Sequence, residues 1–243
     1  MNTETLDQMK TLRLHGMHRA FSQSLEPQSQ KYTADELIEF LIQSESDDRS
    51  NRRINRLTQN ARFRYTASIE DVQYDESRNI DKNMIYRLSE CQYITEAKNI
   101  IITGSTGVGK SYLASALGYQ ACSLGFKVMY FNTYKLFTKL KISKADGTYL
   151  KEVNKIAKQD LLILDDFGLK TLDSNDRQYL MELIEDRHGR KSTLIASQLP
   201  VDNWHDIIAE NTIADAILDR IVHHAFRLDL RGDSMRKKQR KNT

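Results

Sequence analysis

An α/β fold with a parallel sheet, preceded by a small all-helical domain, follows from three features of the sequence. Residues 1–65 place apolar side chains at helical spacing and lack strand-like alternation. From about residue 81 to residue 243, short apolar runs alternate with helical stretches, as in a parallel sheet covered on both faces. No run approaches the ~20 apolar residues that a membrane-spanning helix needs. Residues 66–80 read as the linker between the two domains.

In the first domain, Leu6, Met9, Leu12, Met17, Phe21 and Leu25 recur at roughly helical spacing, and Pro27 breaks the pattern. Thr33 and Glu36 fit a capping box ahead of Leu37, Ile38, Phe40, Leu41 and Ile42. Apolar support lapses from Gln43 to Arg53 and resumes at Ile54 and Leu57, so either one long helix or two shorter ones fits. In the second domain the expected strands are Asn99–Thr103, Lys127–Asn132, Asp160–Asp165, Ser192–Ser197 and Arg227–Leu230. Most are continuous apolar runs, as strands buried on both faces require. Helices are expected near 111–124, 134–144, 148–158, 175–188 and 213–225, with Gly125 where the first of these stops.

Composition narrows the class. Hydrophobic residues are 40% of the chain, enough for a packed core. The N-terminus MNTETLDQMK lacks a basic segment followed by an apolar one, which excludes a secretory signal. The two cysteines, Cys91 and Cys122, fit neither a disulfide framework nor a zinc site, so the reducing cytoplasm is the expected compartment. The net charge of +3 conceals three basic runs: residues 49–64 (+6), 133–158 (+5) and 231–241 (+5). Each run by itself fits a solvated helix face or a tail. Three together beside a phosphate site favour a polyanion, and nucleic acid is the expected partner.

The chemistry begins at Gly104-Ser105-Thr106-Gly107-Val108-Gly109-Lys110-Ser111, which fits G-x-x-x-x-G-K-[ST] directly after the apolar run NIIIT and directly before a helical stretch at Tyr112. Glycines let backbone amides turn inward around phosphate oxygens, and the helix N-terminus adds its positive dipole. Lys110 is placed to neutralise the β- and γ-phosphates, and the Ser111 hydroxyl to ligate Mg²⁺. The second element is the apolar strand ending in Asp165 and Asp166. Asp165 is expected to hold magnesium through water, and Asp166 to orient or deprotonate the attacking water. At the end of the fourth strand, Gln198 rather than Ser197 is the candidate to touch the γ-phosphate or the water; capping of the strand end before Pro200 is the alternative. Trp204 reads as a core anchor. Phe63, Tyr65 and Tyr74 fit either base contacts or core packing, with packing favoured. The histidines form no metal motif, and G-x-S-x-G is absent.

GSTGVGKS, LLILDDF, STLIASQLP, ADAILDRIVHHAFRLDL and GDSMRK, in this order, resemble the IstB family of transposition helper ATPases, within the AAA+ clade that also holds the DnaC/DnaI helicase loaders. The resemblance covers nearly the whole chain. It implies a five-stranded parallel sheet of order 5-1-4-3-2, with Gln198 beside the phosphate loop. It also implies a homo-oligomer with ATP at subunit junctions, and Arg220 as an arginine finger reaching a neighbour's γ-phosphate; a surface ion pair with Asp219 or Asp215 is the alternative. The lysine-bearing helices around Asp146-Gly147 fit the insertion that this clade uses near DNA. Since the chain ends at Thr243, no lid domain is expected. Arg236 fits either a nucleotide sensor or a DNA-binding tail.

The implied function is an ATP-hydrolysing, DNA-binding protein that assembles on and deforms target DNA and recruits an IstA-like transposase. A helicase loader, whose helical domain would grip a helicase, is the second reading, and the +6 run at 49–64 favours the first. A metabolic P-loop kinase is a third; nothing in the sequence suggests its acceptor pocket.

Overall fold

The computed structural model describes residues 2–26, 32–74 and 76–235. Pro27, Arg236 and the basic positions from 237 to 241 lie outside them. The chain divides into two compact units, Met1–Arg56 and Leu57–Thr243.

The smaller unit contains α1 (Asn2–Thr11), α2 (His15–Ser24) and most of α3 (Ala34–Ala61). Helix α3 is a single 28-residue helix. Its capping box forms as expected: Thr33 N donates to Glu36 Oε2 (2.8 Å) and Glu36 N to Thr33 Oγ1 (3.3 Å). Polar pairs carry the helix across the apolar lapse. Arg49 Nε donates to Glu45 Oε1 (2.7 Å) and Gln43 Nε2 to Asp47 Oδ1 (2.8 Å), and Arg52 Nε forms an ion pair with Asp48 Oδ2 (2.6 Å), all at helical i,i+4 spacing. Arg52 also reaches Glu45, at 3.6 Å, and Arg19 pairs with Asp48. Part of the +6 run is thus used inside the helical unit.

Glu45 and Asp48 are buried. Gly16 allows α2 to approach α3, since a Cβ there would lie 2.2 Å from Ser44 O. Glu45 Oε2 then accepts from the free amides of Gly16 (2.8 Å) and Met17 (3.3 Å) at the start of α2. Burial alone would raise the Glu45 pKa. The bonds from Arg49 and from the two amides outweigh it and hold the group below its ordinary 4.5. A depressed folded pKa gives stability that is present above the unfolded value and lost as pH falls through the folded one. Protection of the Gly16 and Met17 amides in the full chain, corrected for intrinsic exchange, should therefore fall as pH drops below about 4.5. Glu45→Gln should remove most of that pH dependence, and unchanged protection down to pH ~3 would contradict it.

The larger unit is built on β1 (Ile100–Gly104), β2 (Val128–Asn132), β3 (Leu161–Phe167), β4 (Ser192–Ser197) and β5 (Phe226–Leu230). They pair in parallel in the order β2-β3-β4-β1-β5, the order expected from the resemblance. The helices are α4 (Lys82–Ser89), α5 (Gln92–Thr95), α6 (Lys110–Ser123), α7 (Thr133–Ala145), α8 (Tyr149–Ala157), α9 (Ser174–Arg187), α10 (Trp204–Ile208) and α11 (Asn211–Val222). Alternate strand residues feed two cores. Ile100, Ile102, Ile163 and Ala196 pack with Leu113, Leu117 and Ala121 of α6; Ile101, Leu162, Leu164 and Ile195 pack with residues of α7 to α11, including Trp204, which is fully buried.

Two parts of the larger unit were not expected. Helices α4, α5 and α10 are short, although Asp81 caps α4 by accepting from Asn83 N at 2.8 Å. The segment read as a linker is packed: Ala67, Val72 and Arg78 are buried, and Arg78 donates to Gln73 O (2.7 Å) and Val108 O (2.8 Å). A linker needs free backbone, and these contacts fasten residues 67–78 to the sheet unit instead. Arg187, 2% exposed, ties the end of α8, the turn into β3 and strand β4 together by donating to Ile156 O, Gln159 O and Thr193 Oγ1. Both cysteines are buried free thiols, and burial pushes Cys122 up to about 12. Among the described residues no helix is long and apolar enough to cross a membrane.

Candidate functional site

The strand order creates a switch point. The chain leaves β1 for the far edge at β2, returns through β3 and β4 to β1's side, and then crosses to β5. In such sheets the crevice beyond the carboxyl ends of the strands is where ligands bind. The carboxyl ends of β1, β3 and β4 carry the phosphate loop, the acidic pair and Gln198.

Two glycines show why the loop needs its residue types. Gly104 has φ +140°, and a Cβ there would sit 2.1 Å from Leu230 O; Gly107 has φ +86°, and a Cβ would sit 2.2 Å from Ser234 Oγ. Both backbone angle and space demand glycine. The loop runs into α6 at Lys110, so the first turn presents its unpaired amides to the crevice. Lys110, 7% exposed, donates from Nζ to Gly104 O (2.7 Å) and Ser105 O (2.8 Å). Burial lowers its pKa, although Asp165 and Asp166 pull the other way. A buried cation at the head of a helix is the arrangement that a bound phosphate would stabilise.

The acidic pair owes its geometry to a bulge. Leu164 pairs with Ile195 and Phe167 with Ser197, so Asp165 and Asp166 together oppose the single Ala196. On a regular strand the two side chains would point to opposite faces. Asp166 instead adopts φ +58°, and both carboxylates converge on one group: Arg64 Nη1 lies 3.2 Å from Asp165 Oδ2 and 2.9 Å from Asp166 Oδ2. Tyr130 Oη donates to Asp165 Oδ2, and Asn132 Nδ2 donates to Asp166 Oδ2 at 2.9 Å. Burial first, then Asp165, keeps the Tyr130 phenol well above its usual pKa, so it is a neutral donor. Asp165 is 1% exposed, and its Oδ1 is buried without a protein partner. An orphaned carboxylate oxygen facing a phosphate loop fits a water of a bound magnesium ion.

Gln198 stands beside the loop, its Oε1 accepting from Thr106 Oγ1 at 2.6 Å. Ser197 is turned inward, donating to Phe167 O at 2.8 Å. Asn132 and Tyr130 escaped the sequence reading, yet Asn132 carries the same signal as Gln198: a polar residue ending an apolar strand. The register Asn132↔Asp165 supplies what periodicity lacks. Arg64 had no signal beyond its charge, and the phenylalanine before it packs as core.

Arg220 is not brought to this crevice. Its Nε forms an ion pair with Glu185 Oε2 (2.7 Å), and its Nη1 donates to Ala216 O (2.8 Å). The carbonyls of Arg220 and Ile221 accept from Asn99 Nδ2, immediately before β1 begins. The phosphate loop starts at the other end of that strand, roughly 16 Å away at about 3.3 Å per residue. The expected partners Asp219 and Asp215 are replaced by Glu185, on the neighbouring helix α9.

A family model described as IstB-like ATP binding protein matches residues 7–243. An insertion-sequence ATP-binding protein of Sinorhizobium fredii, y4pL, is 41% identical over 240 residues, 98% of each chain. The ATP-binding protein of insertion sequence IS1162 from Pseudomonas fluorescens is 39% identical over 202 residues, 82% of this chain and 87% of that one. Among solved structures, the DnaC helicase loader superposes with TM-score 0.56 at 21% identity, over 69% of this chain and 98% of that one. AMPPCP-bound DnaA from Aquifex aeolicus gives 0.60 at 18%, over 75% and 57%. These two likenesses show a shared AAA+ fold. With the family model spanning nearly its full length and close relatives of equal extent, this chain belongs to the IstB-like ATP-binding proteins of insertion sequences.

Proposed function

We propose that this protein binds ATP with magnesium at the crevice, hydrolyses it at junctions between identical subunits, and acts on double-stranded DNA as the helper of a transposase. The observation that carries the reading is the convergence of Lys110, Asp165, Asp166 and Gln198 on one switch point, in a chain whose relatives are insertion-sequence ATP-binding proteins.

Each residue has a role in that chemistry. Loop amides from Ser105 to Ser111 hold the phosphates, and Lys110 turns its ammonium from the loop carbonyls towards the β- and γ-phosphates. The Ser111 hydroxyl and Asp165 hold the magnesium ion, which supplies charge neutralisation at the transferred phosphoryl group. Asp166, steadied by Asn132, orients the attacking water and takes its proton. Gln198 faces the γ-phosphate from β4. Arg220, distant from its own loop, serves the neighbouring subunit.

The helical unit and the α7–α8 hairpin are the DNA-facing parts. Arg53 and Arg56 are exposed on α3, as are Lys141, Lys151, Lys155 and Lys158 on or beside the hairpin. Binding should be largely independent of sequence and fall steeply with salt. Arg53→Ala with Arg56→Ala should flatten the slope of log affinity against log salt by about 2, near 0.9 for each lost phosphate contact. Arg52→Ala should instead loosen the helical unit, since Arg52 is committed to Glu45 and Asp48. An unchanged slope in the double variant would assign this run to a protein partner or to solvent. The helicase-loader reading rests on the fold shared with DnaC, whereas the 41% identity over 98% of the chain lies with the insertion-sequence protein.

A further inference from the structure

Arg64 is held in place by its neighbours, and its tip lies between the two acids. Ala61 is fully buried at the end of α3, and Arg62 turns the chain with φ +58°. The Phe63 ring packs into the notch left by Gly118, where a Cβ would lie 2.4 Å from Phe63 Cε1, and meets Tyr130 edge-on at 6.3 Å. On the other side, the Tyr65 ring lies 6.3 Å from that of Tyr112, the residue after Ser111. Two aromatic anchors thus fix the backbone of residue 64 against the site, while its side chain is 40% exposed.

Among the described residues the guanidinium is the cation that pairs with both acids, and one nitrogen, Nη1, serves them both. Burial would lower its pKa, but Asp166 and Asp165 more than compensate, so it stays charged at any working pH. A positive charge 3.2 Å from Asp165 and 2.9 Å from Asp166 offsets the negative potential that draws a divalent cation to the same carboxylates. It also occupies a lone pair of Asp166 Oδ2, the atom that Asn132 already holds.

We infer that Arg64 is an internal competitor of the metal cation, a counter-ion that the acidic pair must release when magnesium and nucleotide bind. The inference rests on the proposed role of Asp165 in holding the metal. Because the backbone is anchored and the side chain half open, release needs only a rotamer change of Arg64. The metal concentration at which the site fills is then set by Arg64 as well as by the metal's ligands.

The test titrates Mn²⁺ into the full chain with a non-hydrolysable ATP analogue and follows bound metal by electron paramagnetic resonance. Arg64→Ala and Arg64→Gln should each lower the half-saturating Mn²⁺ concentration about threefold to tenfold, while Arg64→Lys stays within about twofold of the parent. Asp165→Asn should raise it. Folding of each variant is checked by circular dichroism, and Arg64→Gln carries the test where Arg64→Ala does not fold. If Asp165→Asn weakens Mn²⁺ binding but the neutral Arg64 variants leave it unchanged or weaken it, the competitor role is wrong and the metal site stands. If Asp165→Asn has no effect either, the metal assignment fails and the competitor role fails with it.

Discussion

Lys110→Ala should weaken ATP binding by roughly 300-fold, the equivalent of about 3.4 kcal/mol, as expected for losing charge-assisted contacts to two phosphates. The size of the effect follows from placement. The Lys110 ammonium is buried at the head of α6, and burial disfavours its charged form. A phosphate arriving there offsets that cost, so binding energy concentrates in this one side chain. Titration with a fluorescent ATP analogue measures the change. Thermal unfolding without nucleotide is the control, because among the described residues the lysine's hydrogen bonds go to the Gly104 and Ser105 carbonyls of the loop. An affinity within about threefold of the parent would mean that the loop binds something other than a polyphosphate.

The second large effect concerns Arg220. Its guanidinium pairs with Glu185 at the end of the sheet opposite the phosphate loop, so it cannot reach the site of its own chain without refolding α11. A role in hydrolysis is therefore a role in a neighbour. Arg220→Ala should bind ATP almost normally yet lose about 10³-fold in turnover, within the range for an arginine finger. Hydrolysis by the parent should rise with protein concentration and with DNA that gathers subunits. Mixing Arg220→Ala with Lys110→Ala is the sharper version. Junctions that pair the intact loop of one variant with the intact arginine of the other should recover measurable turnover. If the two co-assemble and activity stays at the sum of the separate variants, Arg220 is only the ion-pair partner of Glu185.

Much of this was legible in the sequence because it rests on local chemistry. Strands buried on both faces must be apolar throughout, which marks most of the strands, and all five stood out within one or two residues of their ends although β5 alternates buried and exposed positions. The phosphate loop is legible because only glycine satisfies Gly104 and Gly107. What periodicity could not show depends on register and on distant partners. Two adjacent aspartates on a strand should diverge, and only the bulge opposite Ala196 makes Asp165 and Asp166 converge. The 49–64 run reads as unopposed charge because Glu45 and Asp48, which hold Arg49 and Arg52, lie just ahead of it on the same helix. Residues 66–80 read as a linker because their apolar positions are sparse, yet Ala67, Val72 and Arg78 are buried there and the Arg78 guanidinium donates to Val108 O.

On the proposed function, the loop and the acidic pair form one hydrolytic site, in which Asp166 acts on water and Lys110 on phosphate. Phosphate release by the full chain with Mg²⁺, ATP and duplex DNA, compared between the parent and Asp166→Asn, tests it most directly, with bound nucleotide measured in the same samples. The amide keeps the size of Asp166 and leaves Asp165 in place, so bound ATP should stay within about threefold of the parent while release falls at least about 100-fold. Undiminished release by Asp166→Asn, or loss of bound nucleotide in step with release, would contradict the division of labour between the two elements.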